Sequence, residues 1–413
     1  MMREFTGFGQ SEGVDGSESD ESRSPQRAAV RGIVLAGCHT WGRSLLEQTC
    51  SRPLLPVAGR PLIWYALNWI RGSGIREASV CANSDTGQFR RYLGSGESLG
   101  LAVDYYEDMM PRGPAGCLRD AALSTSADTF VVVEGTQVPR LDLSALLEAH
   151  GASGAVMTIV VSSSGRGSPW SERCLAPSGV YVVSRSALEA VPSRGYQDIK
   201  EMLVPRLYEM GKRVVPHVVE SSATWHVSGL GSYMAACEGL VEEASRLAFF
   251  CRGYVRAGSG WAHGTAKISH RARVIGPVLI GPGCTIEDGA AIVGPATIGA
   301  GSVVRRDAVV TRSVTWSRCE AGPGSAIDGC VLLDGAKVEG GGRFRDTIVR
   351  AEGRMRRFSL GRAYWLMSQG GSSDRSTPAN LALEEHAKGA FHELIWLFPS
   401  LPGSAARASH SSI

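Results

Sequence analysis

Apolar residues form short runs over the first half of the chain and a strict six-residue rhythm over the second. The run Gly32–Ala36 is apolar and followed by a glycine, as in a strand buried on both faces of a parallel sheet. Similar runs predict strands at Ala78–Ala82, Leu101–Tyr106, Thr129–Val133, Val156–Val161 and Gly179–Val183. Helical spacing falls between them. Pro61–Arg71 places Ile63, Leu67 and Ile70 on one face, with Pro61 at a first helical position. Helices are also expected over Gln88–Leu93 and Pro114–Ser124, near Ile199–Met210, and over Gly231–Arg246. Strands alternating with helices predict an α/β fold with a mostly parallel sheet.

From Ile268 an aliphatic residue recurs every six positions, through Val274, Ile280, Ile286, Ile292, Ile298, Val304 and Val310. Four residues after Ile280, Ile286, Ile292, Ile298 and Val304 stands a small residue: Cys284, Ala290, Ala296, Ser302 and Ala308. A six-residue period marks a parallel β-helix, with aliphatic side chains pointing into a prism and small ones at its corners. The phase blurs after Trp316 and returns through Leu332, Val338 and Phe344. Such a tract points to a scaffold more than to a reaction.

Composition narrows the classes. The 413 residues are 43% hydrophobic and 20% charged, with a net charge of +3, too balanced for a nucleic-acid binder. No apolar window approaches a membrane span, and residues 1–28 lack the apolar core of a secretory signal. Ten cysteines lie scattered with no C-x-x-C pair, which predicts reduced thiols in a cytoplasmic protein and no structural zinc site. The expected organisation is a polar, acidic, disordered tail over 1–28, an α/β domain over 29–250, a linker over 251–266, a β-helix over 267–350, and a tail over 351–413. Within that last tail, Gly370–Ser376 is expected to be flexible and Ala382–Leu397 to form one amphipathic helix packed on the body.

Several stretches, in order, resemble the nucleotide-sugar pyrophosphorylases, the sugar-1-phosphate nucleotidyltransferases. They are Leu35-Ala36-Gly37, then fifteen residues, then the segment Pro53–Ile63 (PLLPVAGRPLI); Gly113–Leu118 (GPAGCL); Val131–Gly135 (VVVEG); Gly179-Val180-Tyr181; Leu203-Val204-Pro205; and His226 to Tyr233. The resemblance covers about residues 31–350. It implies a Rossmann-like nucleotidyltransferase domain followed by a hexapeptide-repeat left-handed β-helix. It also implies that a sugar 1-phosphate attacks the α-phosphate of a nucleoside triphosphate, a step that depends on positioning and charge neutralisation. Leu35, Ala36, Gly37, Gly113, Ala115 and Gly116 would then line the nucleotide, an Arg and a Lys would hold the triphosphate, and two Asp carboxylates would hold Mg²⁺.

Several of those charged positions are altered here. The loop Gly-x-Gly becomes Cys38-His39-Thr40, the family's Arg falls on Gly42 with Arg43 beside it, and its Lys becomes Arg52. The two metal-binding Asp positions fall on Thr136 and His226, and the Glu-Lys pair for the sugar matches only Glu172-Arg173. Glu134 is the nearest carboxylate to Thr136 and is expected on the opposite face of its strand. Each lost electrostatic contact in such a site typically costs on the order of 3 kcal/mol in the transition state. The expectation is therefore a binding or regulatory relative with lost or weak turnover. It would take a nucleotide or nucleotide sugar, and pair with itself or with an active homologue. The alternative is an active enzyme with a rearranged site that uses Mg²⁺ and relies on Arg43, Arg52 and Glu134. A further alternative is a structural subunit or an acyltransferase built on the β-helix, with His263 or His270 as base.

Overall fold

The computed structural model describes residues 29–37, 46, 48–82, 86–108, 112–163, 175–243, 253–351 and 355–357. The expected tails at 1–28 and beyond 357, with the Gly370–Ser376 and Ala382–Leu397 segments, lie outside these residues.

The first half is a Rossmann-like α/β layer structure. Seven strands lie in the order 214–220, 157–163, 175–184, 129–134, 30–35, 77–82 and 102–107. All neighbours pair in parallel except Leu175–Ser184, which runs antiparallel to both its partners. Val131, Val132 and Val133 have no exposed surface, as a central strand covered on both faces requires. Ile33, Phe130 and Val132 pack on one side with Leu118, Tyr181 and Leu203. Val34, Val131 and Val133 pack on the other with Ile63, Leu67 and Ile70.

The expected helices are present with shifted ends. Leu62–Gly72 begins one residue later than expected, because Pro61 is extended (φ −60°, ψ 142°) and pairs with Pro56 in the Pro56–Val57/Arg60–Pro61 hairpin. The expected helix near Ile199–Met210 is a π-type turn, Ile199–Leu203, followed by the helix Val204–Glu209. Two of the longer elements were not legible. The helix Leu143–Ser153 buries only Leu143, Leu146 and His150, too sparse an apolar stripe to mark it. Val214–Glu220 is an edge strand carrying Pro216, and proline is tolerated at an edge.

His150 is buried, with Nδ1 2.8 Å from Thr158 Oγ1 and Nε2 3.1 Å from Ser184 Oγ. Burial lowers its pKa below the ordinary 6.5. The folded state thus favours the neutral ring, while the unfolded chain takes up a proton near 6.5. This contribution to stability is complete above that pH and is lost as pH falls from there through the lowered folded value. Urea midpoints measured from pH 7.5 down to 5 should fall more steeply for the wild type than for His150→Gln. Parallel curves would remove His150 from the account.

The second half is a parallel β-helix. Three ladders of parallel strands stack coil on coil, and two strands expected in the linker belong to it. Tyr254–Ala257 and Gly260–His263 form a hairpin whose second strand pairs in parallel with Val278–Ile280. The pairing also explains the blurred phase. Paired residues lie eighteen apart through Val278↔Ala296, Thr285↔Val303 and Ala291↔Val309. They lie seventeen apart from Thr297↔Val314, Val303↔Glu320 and Val309↔Ala326 onward. One corner is shortened, from Gly294-Pro295-Ala296 to Arg312-Ser313, and the repeat becomes 6-6-5. The inward positions then run Val310, Thr315, Ala321, Ile327, Leu332, Val338, Phe344 and Val349. The slip falls just before Trp316, and the coil stays regular to Val349.

The two halves share one core. Val314, Trp316, Val331, Leu333 and Ile348 of the β-helix pack with Leu55, Val57, Leu62 and Tyr65, and with Tyr233, Met234 and Cys237 of the helix Leu230–Glu243.

Candidate functional site

Open α/β sheets bind ligands beyond the carboxyl ends of their parallel strands. Here the ends of the 30–35 and 129–134 strands are tied together by Gly135 N–H donating to Leu35 O at 2.8 Å. A Cβ on Gly135 would stand 3.3 Å from both Leu35 O and Pro53 Cβ, so a larger residue would make the neighbouring Arg52–Leu54 turn give by a few tenths of an ångström. Beyond Gly135, Gln137–Pro139 pairs antiparallel with Thr224–His226, which sets His226 opposite Gln137.

Glu134 faces this cleft, contrary to the expected opposite face. It follows Phe130 and Val132 at two-residue steps, and so emerges on the side that carries the Ile199–Leu203 turn. Gly179 leaves room for it. At φ +80°, a Cβ there would meet Glu134 Cδ at 2.8 Å and Gln137 Nε2 at 2.9 Å. The Glu134 carboxylate lies 3.9 Å from His226 Nε2 and 4.0 Å from Lys200 Nζ. Lys200 is held by Asp198, which caps the turn by accepting from the Lys200 N–H at 2.6 Å and the Glu201 N–H at 2.9 Å.

Burial lowers the His226 pKa; the Glu134 carboxylate opposes this shift, while Lys200 and Arg52 add to it. Arg52 is therefore part of the same field, although its own side chain is largely buried, at 8% exposed. Thr136 is buried, and its carbonyl accepts from Val227 N–H at 3.0 Å. Val227 points into the core, so position 226, not 227, presents a side chain to the cleft. Gln137 is buried, with its Oε1 unpartnered among the described residues.

The other expected positions are placed differently. Leu35 and Ala36 are buried, and the N–H groups of Ala36 and Gly37 both donate to Cys81 O, at 2.7 and 3.2 Å. At the start of the Gly113–Leu123 helix, the Ala115 N–H donates to Gln197 O at 3.0 Å. A Cβ on Gly113 would stand 2.6 Å from that same oxygen, and one on Gly116 would stand 2.7 Å from Arg112 Cβ. The close approaches at these two glycines are thus made by the chain itself. Arg43, Glu172 and Arg173, together with Cys38, His39, Thr40 and Gly42, lie outside the described residues.

Lys200 and Gln137 were missed by the sequence reasoning. Asp198 is a visible helix-start signal, but nothing local aims Lys200 at a strand end 66 positions earlier in the chain.

The resemblance implies a Mg²⁺ held by two carboxylates at this cleft. Among the described residues the cleft offers one carboxylate, Glu134, and one amide oxygen, Gln137 Oε1, flanked by Lys200, Arg52 and an imidazole. A hard divalent cation prefers oxygen ligands and is repelled by adjacent ammonium and guanidinium groups. These residues do not fit a two-carboxylate magnesium site, and among the described residues no cluster of three His, Cys, Asp or Glu forms another.

A family model described as nucleotidyl transferase matches residues 32–169, which include the 30–35, 77–82 and 129–134 strands and Glu134. Residues 32–169 thus match the nucleotidyl transferase family, and the chain is similar to the nucleotide-sugar pyrophosphorylases. It is similar to the mannose-1-phosphate guanylyltransferase of Mycobacterium tuberculosis, at 24% identity over 332 residues, 76% of this chain and 82% of the relative. It is also similar to the UTP–glucose-1-phosphate uridylyltransferase of Synechocystis sp., at 25% identity over 71% of this chain and 84% of the relative. A glucose-1-phosphate thymidylyltransferase of Streptomyces griseus is 27% identical over 62% of this chain and 79% of that protein. This chain is a nucleotidyltransferase-type protein, its named relatives act in nucleotide-sugar metabolism, and none of its described helices is long and apolar enough to cross a membrane.

Proposed function

We propose that this family member binds a nucleotide or nucleotide sugar through phosphate contacts to its own side chains, with turnover lost or weak, and acts as a binding or regulatory protein. The observation that carries this reading is the pairing of Glu134 with Lys200 and His226, inside the field of Arg52, where the resemblance implies two carboxylates around a metal. An ammonium and a guanidinium neutralise phosphate charge without a divalent ion. They do not supply the mobile, oxygen-bridging cation that phosphoryl transfer ordinarily uses. Pairing with a second copy or with an active homologue belongs to the same reading, and Leu35–Gly37 and Gly113–Gly116 remain its nucleotide-lining segments.

A second reading, an active sugar-1-phosphate nucleotidyltransferase with a rearranged site, draws support from one feature: Glu134 does face the cleft and supplies a carboxylate there. The relatives named above carry transferase names, which favours the same direction.

The reading is tested on Lys200. Titration of the wild type with pyrophosphate and the common nucleoside triphosphates in excess EDTA should detect binding, and Lys200→Gln should weaken it about tenfold or more, since hydrogen bonds to charged groups are worth about 1.5–3 kcal/mol. Absence of wild-type binding in EDTA, or an unchanged affinity in Lys200→Gln, would refute it.

A further inference from the structure

Residues 191–198 carry no helix or strand, and 192–196 are exposed, yet this loop leads straight into the turn that holds Lys200. Its course is therefore set by what its backbone bonds to. Those bonds converge on the start of the Gly113–Leu123 helix. The Gln197 N–H donates to Arg112 O at 2.7 Å, and the Gln197 carbonyl accepts from the Ala115 N–H at 3.0 Å. The Arg112 guanidinium reaches further along the loop, where Nη2 donates to Pro192 O at 2.9 Å and Nη1 donates to Ser193 O. A planar guanidinium presents parallel donors to two carbonyls of one loop, which a flexible ammonium does not.

Arg112 is itself held in place. Its N–H donates to Asp108 Oδ2 at 2.6 Å, and its Nε lies 3.4 Å from Asp120 Oδ2. The side chain is 12% exposed. Gly116 makes the room for it, since a Cβ there would stand 3.2 Å from the Arg112 Nε as well as 2.7 Å from its Cβ. At the other end, Gln197 is buried, and its Oε1 accepts from Arg206 Nη1 at 3.3 Å. The next residue is Asp198, which caps the turn that brings Lys200 to Glu134. Only Asp198 and Ile199 separate the bonded Gln197 from Lys200, so the chain between them has no slack.

We propose that Arg112 is a positioning residue: by tying the loop 191–198 to the helix start, it fixes where Lys200 stands relative to 113–116. The proposal rests on the reading of Lys200 as a phosphate-binding cation and of 113–116 as a nucleotide-lining segment. A nucleoside triphosphate meets both places at once, so its affinity depends on their relative position. Arg112 acts through Lys200 and does not meet the ligand.

The test is calorimetry of the full chain with ATP, GTP, UTP and dTTP in EDTA, on the wild type, Arg112→Gln, Lys200→Gln, the double variant and Arg119→Gln. The triphosphate that the wild type binds best should lose about tenfold in affinity in Arg112→Gln, as in Lys200→Gln. In the double variant the loss should stay near about tenfold instead of reaching the product of the two, because both changes remove one contact. Arg119→Gln removes the same charge from the same helix. Arg119 pairs with Asp120 Oδ1 at 3.0 Å, and its loss should leave affinity unchanged. Amide hydrogen exchange without ligand should be faster over 197–201 in Arg112→Gln and unchanged over the 129–134 strand. Thermal midpoints establish that each variant is folded. Additive losses in the double variant, an equal loss in Arg119→Gln, or unchanged exchange over 197–201 would each overturn the proposal. If the wild type binds none of the triphosphates, the phosphate-binding reading falls, and the exchange result alone decides whether Arg112 places Lys200.

Discussion

Replacing Trp316 with alanine is expected to destabilise the protein by about 3–5 kcal/mol, the usual loss for a buried tryptophan. Trp316 is 2% exposed and sits in the core shared by the two halves. Its indole N–H donates to Tyr233 Oη at 2.9 Å, and the Tyr233 hydroxyl donates to Pro56 O at 2.7 Å. One residue of the β-helix is thus linked through one helix to the hairpin that follows Arg52. Trp316→Phe keeps most of the packing and removes the indole donor, so it should lose about 1–2 kcal/mol less than alanine. Urea unfolding followed by both fluorescence and circular dichroism is the measurement, because a chain with two bodies need not unfold in one step. Coincident transitions in the wild type that separate in Trp316→Ala would show the shared core coming apart. A loss under about 1 kcal/mol would mean that the halves are held by something else.

The second large effect concerns the cleft. Thr136→Asp with His226→Asp, combined with Gly42→Arg, restores the carboxylates and the guanidinium that the resemblance implies. Pyrophosphate release from a triphosphate and a sugar 1-phosphate should then appear in Mg²⁺, at least about a hundredfold above the wild-type rate, since one such electrostatic contact is worth about 10²–10³ in turnover. Thr136 is buried, so an aspartate there requires a ligand ion to be tolerated, and the repaired protein should be stabilised by Mg²⁺ where the wild type is not. If the wild type already turns over at ordinary enzyme rates, about 1–10³ s⁻¹, and the triple variant is slower, the rearranged-site reading is correct.

The fold was largely legible because its signals are local. The run Thr129–Val133 announces a strand covered on both faces, and eight aliphatic residues at strict six-residue intervals announce a β-helix. The shortened corner at Arg312-Ser313 was not legible as such. A single missing residue shifts every later position, and only the pairing of coils tells a slip from an ending. The hairpin Tyr254–His263 reads as a linker in the sequence because its partner strand lies in the next coil.

The cleft was half legible. Arg52, Thr136 and His226 were found by their place in ordered motifs, and His226 does stand at the strand ends beside a carboxylate. Glu134 shares the parity of Phe130 and Val132 and so faces the cleft, and the space that admits it is created by Gly179, 45 positions away. Lys200 carries no local signal, because its direction is set by where the Asp198-capped turn packs. Tertiary placement of charge is the part of a site that spacing along the chain does not encode.

The proposed function requires the cleft to hold phosphate with protein cations in place of a metal. The most direct measurement is calorimetric titration of the wild type with nucleoside triphosphates and nucleotide sugars, in Mg²⁺ and in EDTA, with pyrophosphate release followed in the same samples. The account predicts binding whose affinity is the same in both buffers and no pyrophosphate above background. Triphosphate binding that requires Mg²⁺, accompanied by steady pyrophosphate release with a sugar 1-phosphate, would contradict it.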